Sequence, residues 1–398
     1  MEPAKRVTAS HLHNEGSAVP YPRSTVAVSA LVQGVAGGLG WSSMAAALSE
    51  LPLGPVERAV LWAAGSLGIV LASVTGGQVV DRFGARRVGA VGLLVGALAC
   101  GLRAGASEVF ALAACMALFG AQIGFVAPAL SRALAASVPA ASLSRVNRGL
   151  LPAYGVGTVL SFLLVGAQWR EAMLVIAAGM VALALVWFVV IEDVQERRLV
   201  PALAEVKVLL ANLGVRRVAT MQFLLFGSYL AVLPQLTSVL GAGAVPTWLT
   251  AAVVGNLLAD RGSERVGLRR PFVLAGAALA GVAGFALALG AGWWALIAFG
   301  FGGGLVAPLL LALPLELPYL GSPRLGMALG VVLLGGQLGG VLLPLLGAVA
   351  LQQAGAPAFF GALAVAHFLV LFPALRLAET GPRARVHPAR VDFSGAPA

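Results

Sequence analysis

Charge is scarce in this sequence. Of 398 residues, 11% are Asp, Glu, Lys or Arg while 59% are hydrophobic, and the mean hydropathy is +0.94. A soluble domain carries about 25% charged residues. A chain with so few has a surface that is mostly apolar, which excludes an ordinary soluble enzyme or binding module. Cysteine is nearly missing as well. Cys100 and Cys115 both sit inside apolar runs with no metal-ligand spacing around them, so packing is expected of them rather than a disulfide or a metal site. Strand-length alternation is absent, which argues against a membrane β-barrel. Residues 1–24 hold no apolar core, so no cleavable signal peptide is expected and the first apolar run does the targeting.

Long apolar runs are what the sequence has in abundance. They fall near 26–48, 57–79, 88–106, 107–130, 147–168 and 171–191, and after a polar stretch near 218–240, 243–259, 271–290, 293–315, 325–349 and 357–377. About 20 such residues cross a hydrocarbon core of about 30 Å as a helix. The 51 glycines fit this reading, since small residues let membrane helices approach closely. The net charge of +10 has a topological cause. With the N-terminus in the cytoplasm, every Lys and Arg except Arg58, Arg103 and Arg170 falls in a cytoplasmic segment. Basic residues are retained on that side during insertion, so both termini are expected inside.

The chain is written twice. GGQVVDRFGARR at 76–87 is matched by GNLLADRGSERVGLRR at 255–270, and FGAQIGFVAPAL at 119–130 by FGFGGGLVAPLL at 299–310. Gly76 precedes Asp81-Arg82 as Gly255 precedes Asp260-Arg261, and Gly84-x-Arg86-Arg87 recurs as Gly267-x-Arg269-Arg270 after four extra residues. Two separate segments thus share nearly one offset, which marks an internal repeat. The expectation is an all-α membrane protein of twelve transmembrane helices in two pseudo-symmetric six-helix bundles. Residues 1–24 form a cytoplasmic tail, 25–191 the first bundle, 192–217 a cytoplasmic linker, 218–377 the second bundle and 378–398 a second tail. Leu199, Leu203, Val206, Leu210 and Leu213 share one face of a linker helix, which suits the cytoplasmic membrane interface.

The Gly-x-x-x-x-Asp-Arg-x-Gly-x-Arg-Arg loop resembles the signature of the major facilitator superfamily. The repeat in the second half, the Trp169-Arg170 pair and the long central loop agree, over roughly 25–380. The resemblance implies two bundles rocking about a site near the midplane, with helices one, four, seven and ten facing the cavity and two, five, eight and eleven helping. It also implies a gate at Gly77, Asp81, Arg82, Gly84, Arg86 and Arg87, with Gly255, Asp260 and Arg261 in the second half. Gly77 and Gly84 are read as permitting tight turns and close helix contact. Glu316, after Pro314, is read as structural or gating, paired with Arg324 or with arginines of the Asp260 loop. A weaker likeness to the cyanate and nitroimidazole permease branch rests on Arg103 in GLRAGASEVF and on FGAQIGFVAPALSRAL.

Charged groups at the bilayer centre cost about 2.5–3.5 kcal/mol or more, and the middles of helices one, four and seven have none. The uncharged polar residues at depth are Gln33, Gln122, Tyr154, Gln222, Tyr229 and Gln337. Each needs a partner in lipid and so points inward, which makes them the candidate solute-binding set. Ser29, Ser42, Ser43 and Ser161 are expected to bond their own backbone carbonyls. Gly302-Gly303-Gly304 marks a bend or a close approach to cargo, and His367 is placed in a packing or lipid-side position, with protonation linked to transport as the other reading. No basic residue lies deep in helices one, two or eight, which disfavours a small inorganic anion. The expected function is a secondary active or facilitative transporter that moves a small, neutral or weakly polar solute by alternating access. A proton-coupled drug or metabolite exporter, a small-anion permease, and a non-transporting assembly or sensor protein on the same fold stay open. One His and one Glu are too few converging groups for an enzyme. No cofactor, metal or nucleic acid is expected. The expected partners are the solute and membrane lipid, with the chain a monomer in the cell membrane.

Overall fold

The structure, a computed structural model, describes residues 23–165, 168–192, 202–317, 322–381 and 383. Twelve helices cross the long axis. The first, α1, runs through Arg23–Leu31, a π-helical stretch Val32–Leu39 and Gly40–Ala47. The first half continues with α2 Pro55–Phe83, α3 Ala85–Gly105, α4 Val109–Ser137, α5 Ala140–Leu164 and α6 Trp169–Val190. The second half comprises α7 Leu213–Val232, α8 Ala244–Val266, α9 Arg270–Ala288 and α10 Gly292–Glu316. Its last helix, Ser322–Leu375, breaks at Gly355, where φ is 76° and only glycine sits without strain. We call the two parts α11 and α12.

Local chemistry sets the helix ends. α2 starts at Pro55, and the Glu57 carboxylate accepts from the Gly54 N–H at 2.7 Å. It ends where Gly84 takes φ 88°. α7 starts on Asn212, whose Oδ1 accepts from the N–H groups of Gly214 and Val215 at 2.9 and 3.2 Å, a regular helix N-cap. α8 departs from expectation at its C-terminal end. The span near 243–259 becomes a helix through Val266, and Gly267 at φ 73° makes the turn there. The four extra residues of the second repeat therefore add about one helical turn, and Gly267 stands where Gly84 stands in the first half.

Within each half the same helix pairs lie in contact along glycine seams. On α2 and α4, a Cβ at Gly120 would land on the Gly65 carbonyl oxygen, one at Gly68 on that of Ala117, and one at Gly76 on that of Gly124. On α8 and α10, Gly255 lies against Phe301 and Gly304, and Gly300 against Trp248. On α1 and α5, Gly157 lies on Gly34, and the Ser42 hydroxyl meets Thr158 Oγ1 at 3.2 Å. On α7 and α11, Gly339 lies on Phe223. The repeat legible in the sequence is thus a repeat of backbone contacts. The expected backbone bonding of serines holds for Ser43 to Gly40 and Ser161 to Thr158, but not for Ser42, which bonds the Thr158 side chain, or for Ser29, whose hydroxyl is buried without a partner.

The outer helices face away with leucine and valine. Val91, Leu94, Leu98 and Leu102 on α3 are all exposed and recur at helical spacing; α6 does the same with Val175, Leu185 and Val189. Exposed apolar stripes of this extent suit lipid, not water. Seven of the described helical stretches are long and apolar enough to cross a bilayer by length and composition alone, the last of them containing both α11 and α12.

The halves meet through α2 with α11 and through α5 with α8 and α10. One continuous hydrophobic core joins the first half to Leu230–Leu236, Val245, Leu249, Phe299 and Leu363 of the second. A separate core of the second half alone gathers Val215, Met221, Ala259, Leu309, Leu313, Val332 and Leu377. Joining therefore occurs at the end away from the α2–α3 and α8–α9 turns, where Gln235 Nε2 also donates to the Pro55 carbonyl at 2.8 Å. The linker contributes a helix, Ala202–Ala211, in which Leu209 is buried while Leu210 is exposed, as is Leu213 just beyond it. Leu199, Lys5, Arg6, Arg197, Arg198, Arg385 and Arg390 lie outside the described residues, as do the side chains of Leu203, Val206, Arg145, Arg148 and Arg324.

The seams make a direct prediction. Gly120→Leu has to push α4 off α2 and should cost about 3 kcal/mol or more, read as a lower melting temperature in detergent. Gly179→Leu on α6, where a Cβ meets nothing within 4 Å, should leave melting unchanged or raise it slightly.

Candidate functional site

A cavity of about 100 Å³ lies where α5 of the first half meets α7, α8, α10 and α12 of the second. Three of the six residues expected to bind solute line it: Tyr154, Gln222 and Tyr229. The rings around it are in mutual contact. Phe226 stacks on Tyr229 with centroids 5.8 Å apart and planes 8° apart. Trp248 lies 5.0 Å from Tyr229, and Tyr154 6.5 Å from it. Phe299 meets the His367 ring edge-on at 5.0 Å. Gly300, Gly303 and Gly304 of α10 complete one wall.

The other three candidates are buried or half-buried elsewhere. Gln33 on α1 sits beside Gly37, which also abuts the Tyr154 ring. Gln122 is buried in the seam between α4 and α3, against Gly96 and close to Met180. Gln337 lies on α11, one residue from Gly336, which packs on Gln222. The amide oxygens of Gln122 and Gln337 have no hydrogen-bond partner, and neither do Gln222 Oε1 and Asn256 Oδ1 at the cavity. Asn256, Trp248 and His367 are cavity residues that the sequence did not single out for solute. Asn256 sits next to the repeated Gly255, which was the available signal. His367 is 4% exposed and faces the cavity rather than lipid. Within the Gly302–Gly304 run, Gly302 packs on Gly276 of α9 and Gly304 on Ala252 of α8, while a Cβ at Gly303 would meet nothing within 4 Å.

The signature loops occupy the opposite end from the sealed one. Asp81 is exposed at the end of α2. Partial burial raises its carboxyl above the ordinary aspartate range, and the positive charge of Arg132 on α4 opposes the rise. Arg82 and Arg87 are exposed. Arg86 donates to the Phe188 carbonyl and lies 4.1 Å over its ring, which pins the start of α3 to the end of α6. Gly84 makes the expected turn. Gly77 does not: α2 stays helical to Phe83, and a Cβ at Gly77 would meet nothing within 4 Å. Close contact belongs to its neighbour Gly76. In the second half Gly255 is in close contact, Asp260 is half-buried and Arg261 is exposed.

Glu316 has a defined partner, Arg269 of the Asp260 loop. Arg269 Nη2 and Nε donate to the two Glu316 oxygens at 3.1 and 3.2 Å, and Nη1 donates to Ser263 Oγ at 2.7 Å. Thr380 Oγ1 donates to Glu316 at 3.3 Å, while Glu379 accepts from the N–H groups of Arg269 and Arg270 at 2.6 and 3.1 Å. Burial alone lowers an arginine's affinity for its proton. The hydrogen bonds and charge of Glu316, then Glu264, outweigh it and hold Arg269 charged. At the sealed end, buried Arg103 donates to the Gly40 carbonyl at 3.0 Å, and Arg170 donates to that of Ala104.

Solved structures of similar fold are transporters. A proton:xylose symporter, XylE, bound to 6-bromo-6-deoxy-D-glucose, matches 91% of this chain and 97% of its own, at 14% identity and a TM-score of 0.71. The nucleoside transporter NupG matches 88% and 98%, at 13% identity and a TM-score of 0.67. The human organic anion transporter MFSD10 (TETRAN) matches 88% and 96%, at 18% identity and a TM-score of 0.64. No curated protein matches the chain. The sequence model of the Major Facilitator Superfamily covers residues 53–319, from the start of α2 to the end of α10 and so through both signature loops. With its doubled glycine seams and its two six-helix halves, the chain belongs to that superfamily of membrane transporters.

Proposed function

We propose that this transporter carries a small, neutral or weakly polar solute by alternating access, as a facilitative or secondary active carrier. The observation that carries the reading is the cavity between the halves, walled by aromatic rings and uncharged polar groups, with no Asp, Glu, Lys or Arg among its lining residues. An ion entering such a site gives up its hydration without a counter-charge, at high cost; an uncharged solute does not. The core shared by the halves at one end and the second half's own core at the other fit a molecule that opens toward its signature loops. We place those loops, both termini and the linker 192–217 in the cytoplasm, with 25–191 and 218–377 as the moving halves. The chain acts as a monomer in the cell membrane. Asp81, with Arg82, Gly84, Arg86 and Arg87, gates that end.

The topology is tested by labelling from outside the cell. A cysteine at exposed Ser107 should react and one at exposed Arg265 should not; the reverse pattern overturns the placement. Ser263 is unsuitable for this purpose, because it is buried under Arg269.

Asp81→Asn should slow turnover while leaving solute affinity unchanged, because it acts on the gate and not on the cavity. Asp260→Asn should do less. Equal turnover in Asp81→Asn and wild type removes the gating role.

In liposomes, flux down a solute gradient should need no imposed pH difference. Glu316→Gln should keep that flux per folded molecule but melt earlier, since breaking a buried ion pair costs about 3 kcal/mol or more. Replacing both partners, Arg269→Met with Glu316→Leu, should recover much of the loss. Flux that requires a pH gradient and vanishes in Glu316→Gln would make Glu316 a proton carrier instead.

A further inference from the structure

We infer that the cavity takes a planar, uncharged solute about one six-membered ring in size, which donates a hydrogen bond to His367 on α12. The inference rests on the reading above only in taking this cavity as the place where solute binds.

Size comes first. An engineered apolar cavity of about 150 Å³ admits benzene, and about 100 Å³ with the mobility of a few side chains is the same scale. A disaccharide or a nucleoside is excluded from a space of that size. Shape comes from the rings. Tyr229, stacked on Phe226 and in contact with Trp248, presents flat aromatic surface, against which a planar ring packs offset or edge-on.

Polarity comes from His367. Its Nδ1 lies 2.8 Å from the Leu363 carbonyl oxygen one turn earlier on α12. A carbonyl oxygen only accepts, so the proton sits on Nδ1, and in the neutral ring Nε2 is an acceptor. The ring is 4% exposed and stands edge-on to Phe299. Tyr154 and Tyr229 are the other titratable groups lining the cavity, and no carboxylate lines it to stabilise an imidazolium. The glycines of α10 matter here. Gly300, Gly303 and Gly304 put no side chain over the cavity wall, so a residue of the outer helix α12 is able to reach the space. Two more acceptors, Gln222 Oε1 and Asn256 Oδ1, are buried with no partner, and their side chains are 6% and 8% exposed. A buried acceptor without a donor is a standing cost that a ligand N–H or O–H removes. Amide oxygen and nitrogen can exchange places by a flip, whereas the Leu363 bond fixes the role of His367. The histidine therefore sets the specificity and the amides adapt to it.

Binding to the full-length protein in nanodiscs tests this with matched probes: phenol, fluorobenzene, anisole, N-methylpyridinium and benzoate. Phenol should bind at least tenfold tighter than fluorobenzene or anisole, with the same affinity at pH 6.5 and 8. His367→Phe keeps a ring against Phe299 and should bring phenol down to the fluorobenzene level while fluorobenzene binds as before. His367→Gln, which restores an acceptor and guards against a misfolded variant, should recover part of the difference. Equal binding of phenol and fluorobenzene to wild type, tighter binding of either ion, no binding of any ring, or an unaffected His367→Phe each overturns the inference. Phenol discrimination that depends on His367, without flux in liposomes, leaves the inference standing and overturns the transport reading. Flux of a larger or charged solute without ring binding does the opposite.

Discussion

Backbone-to-backbone contact at glycine is the constraint on which the rest of this structure depends. Lipid tails are as apolar as leucine, so helices in a bilayer gain little by hiding leucine from their surroundings. Close packing and hydrogen bonding hold them together instead. Here the seams of α2 with α4, α1 with α5, α8 with α10 and α7 with α11 are built from glycines whose missing Cβ atoms would collide with a neighbour's main chain. Each seam frees the opposite sides of its helices for other work. α2 and α5 are free to meet α11 and α8 across the junction, and α3, α6, α9 and α12 are left to face lipid.

The same economy of side chains makes the cavity. On α10, Gly300 and Gly304 serve the seam with α8, while Gly303 between them has nothing near it. A helix stripped to backbone for packing has no side chain to fill the adjacent space. The aromatic groups of α7 and α8 then form the walls, and His367 reaches in from an outer helix. Only α5 represents the first half. The proposed solute site thus belongs mostly to the second half, with α5 as the part of its wall that the first half supplies.

Crossing segments were legible because apolar runs long enough for a bilayer leave little else to be. The repeat was legible because its glycines and charges serve contacts that allow few substitutes. The length of α8 was not. Its last two turns are polar, ADRGSERV, and a polar run at a membrane surface reads as loop whether or not it is helical. Gln122 shows a second limit. An amide in an apolar run points inward, and Gln122 does, but the interior contains both helix seams and a cavity, and periodicity does not separate them. His367 packs on Phe299 as its burial suggests, but its place in the cavity lining was hidden for the complementary reason. Its reach depends on what α10 lacks at Gly303, 64 residues away in sequence and adjacent only in the fold. Glu316 was read as structural or gating with a loop arginine as partner, yet which arginine required the turn at Gly267 to be located.

The two signature turns both pivot on a glycine of positive φ, Gly84 at 88° and Gly267 at 73°, and have different anchors. In the second half the turn is tied by a buried ion pair, Arg269 with Glu316, and by Glu379 and Thr380 from the chain beyond α12. In the first half the residue at the position of Glu316 is Ala136, by the offset of 180 that relates α4 to α10. Arg86, the counterpart of Arg269, makes a bond to a main-chain carbonyl and stacks on a surface ring. A buried, multiply hydrogen-bonded pair resists opening far more than surface contacts do, because either charge left alone is stranded away from water. The second turn therefore behaves as part of a rigid half that also owns most of the cavity. The first turn has Ala136 where that pair has its carboxylate, and the Arg86 contacts lie at the surface, which supports the gating role proposed for Asp81.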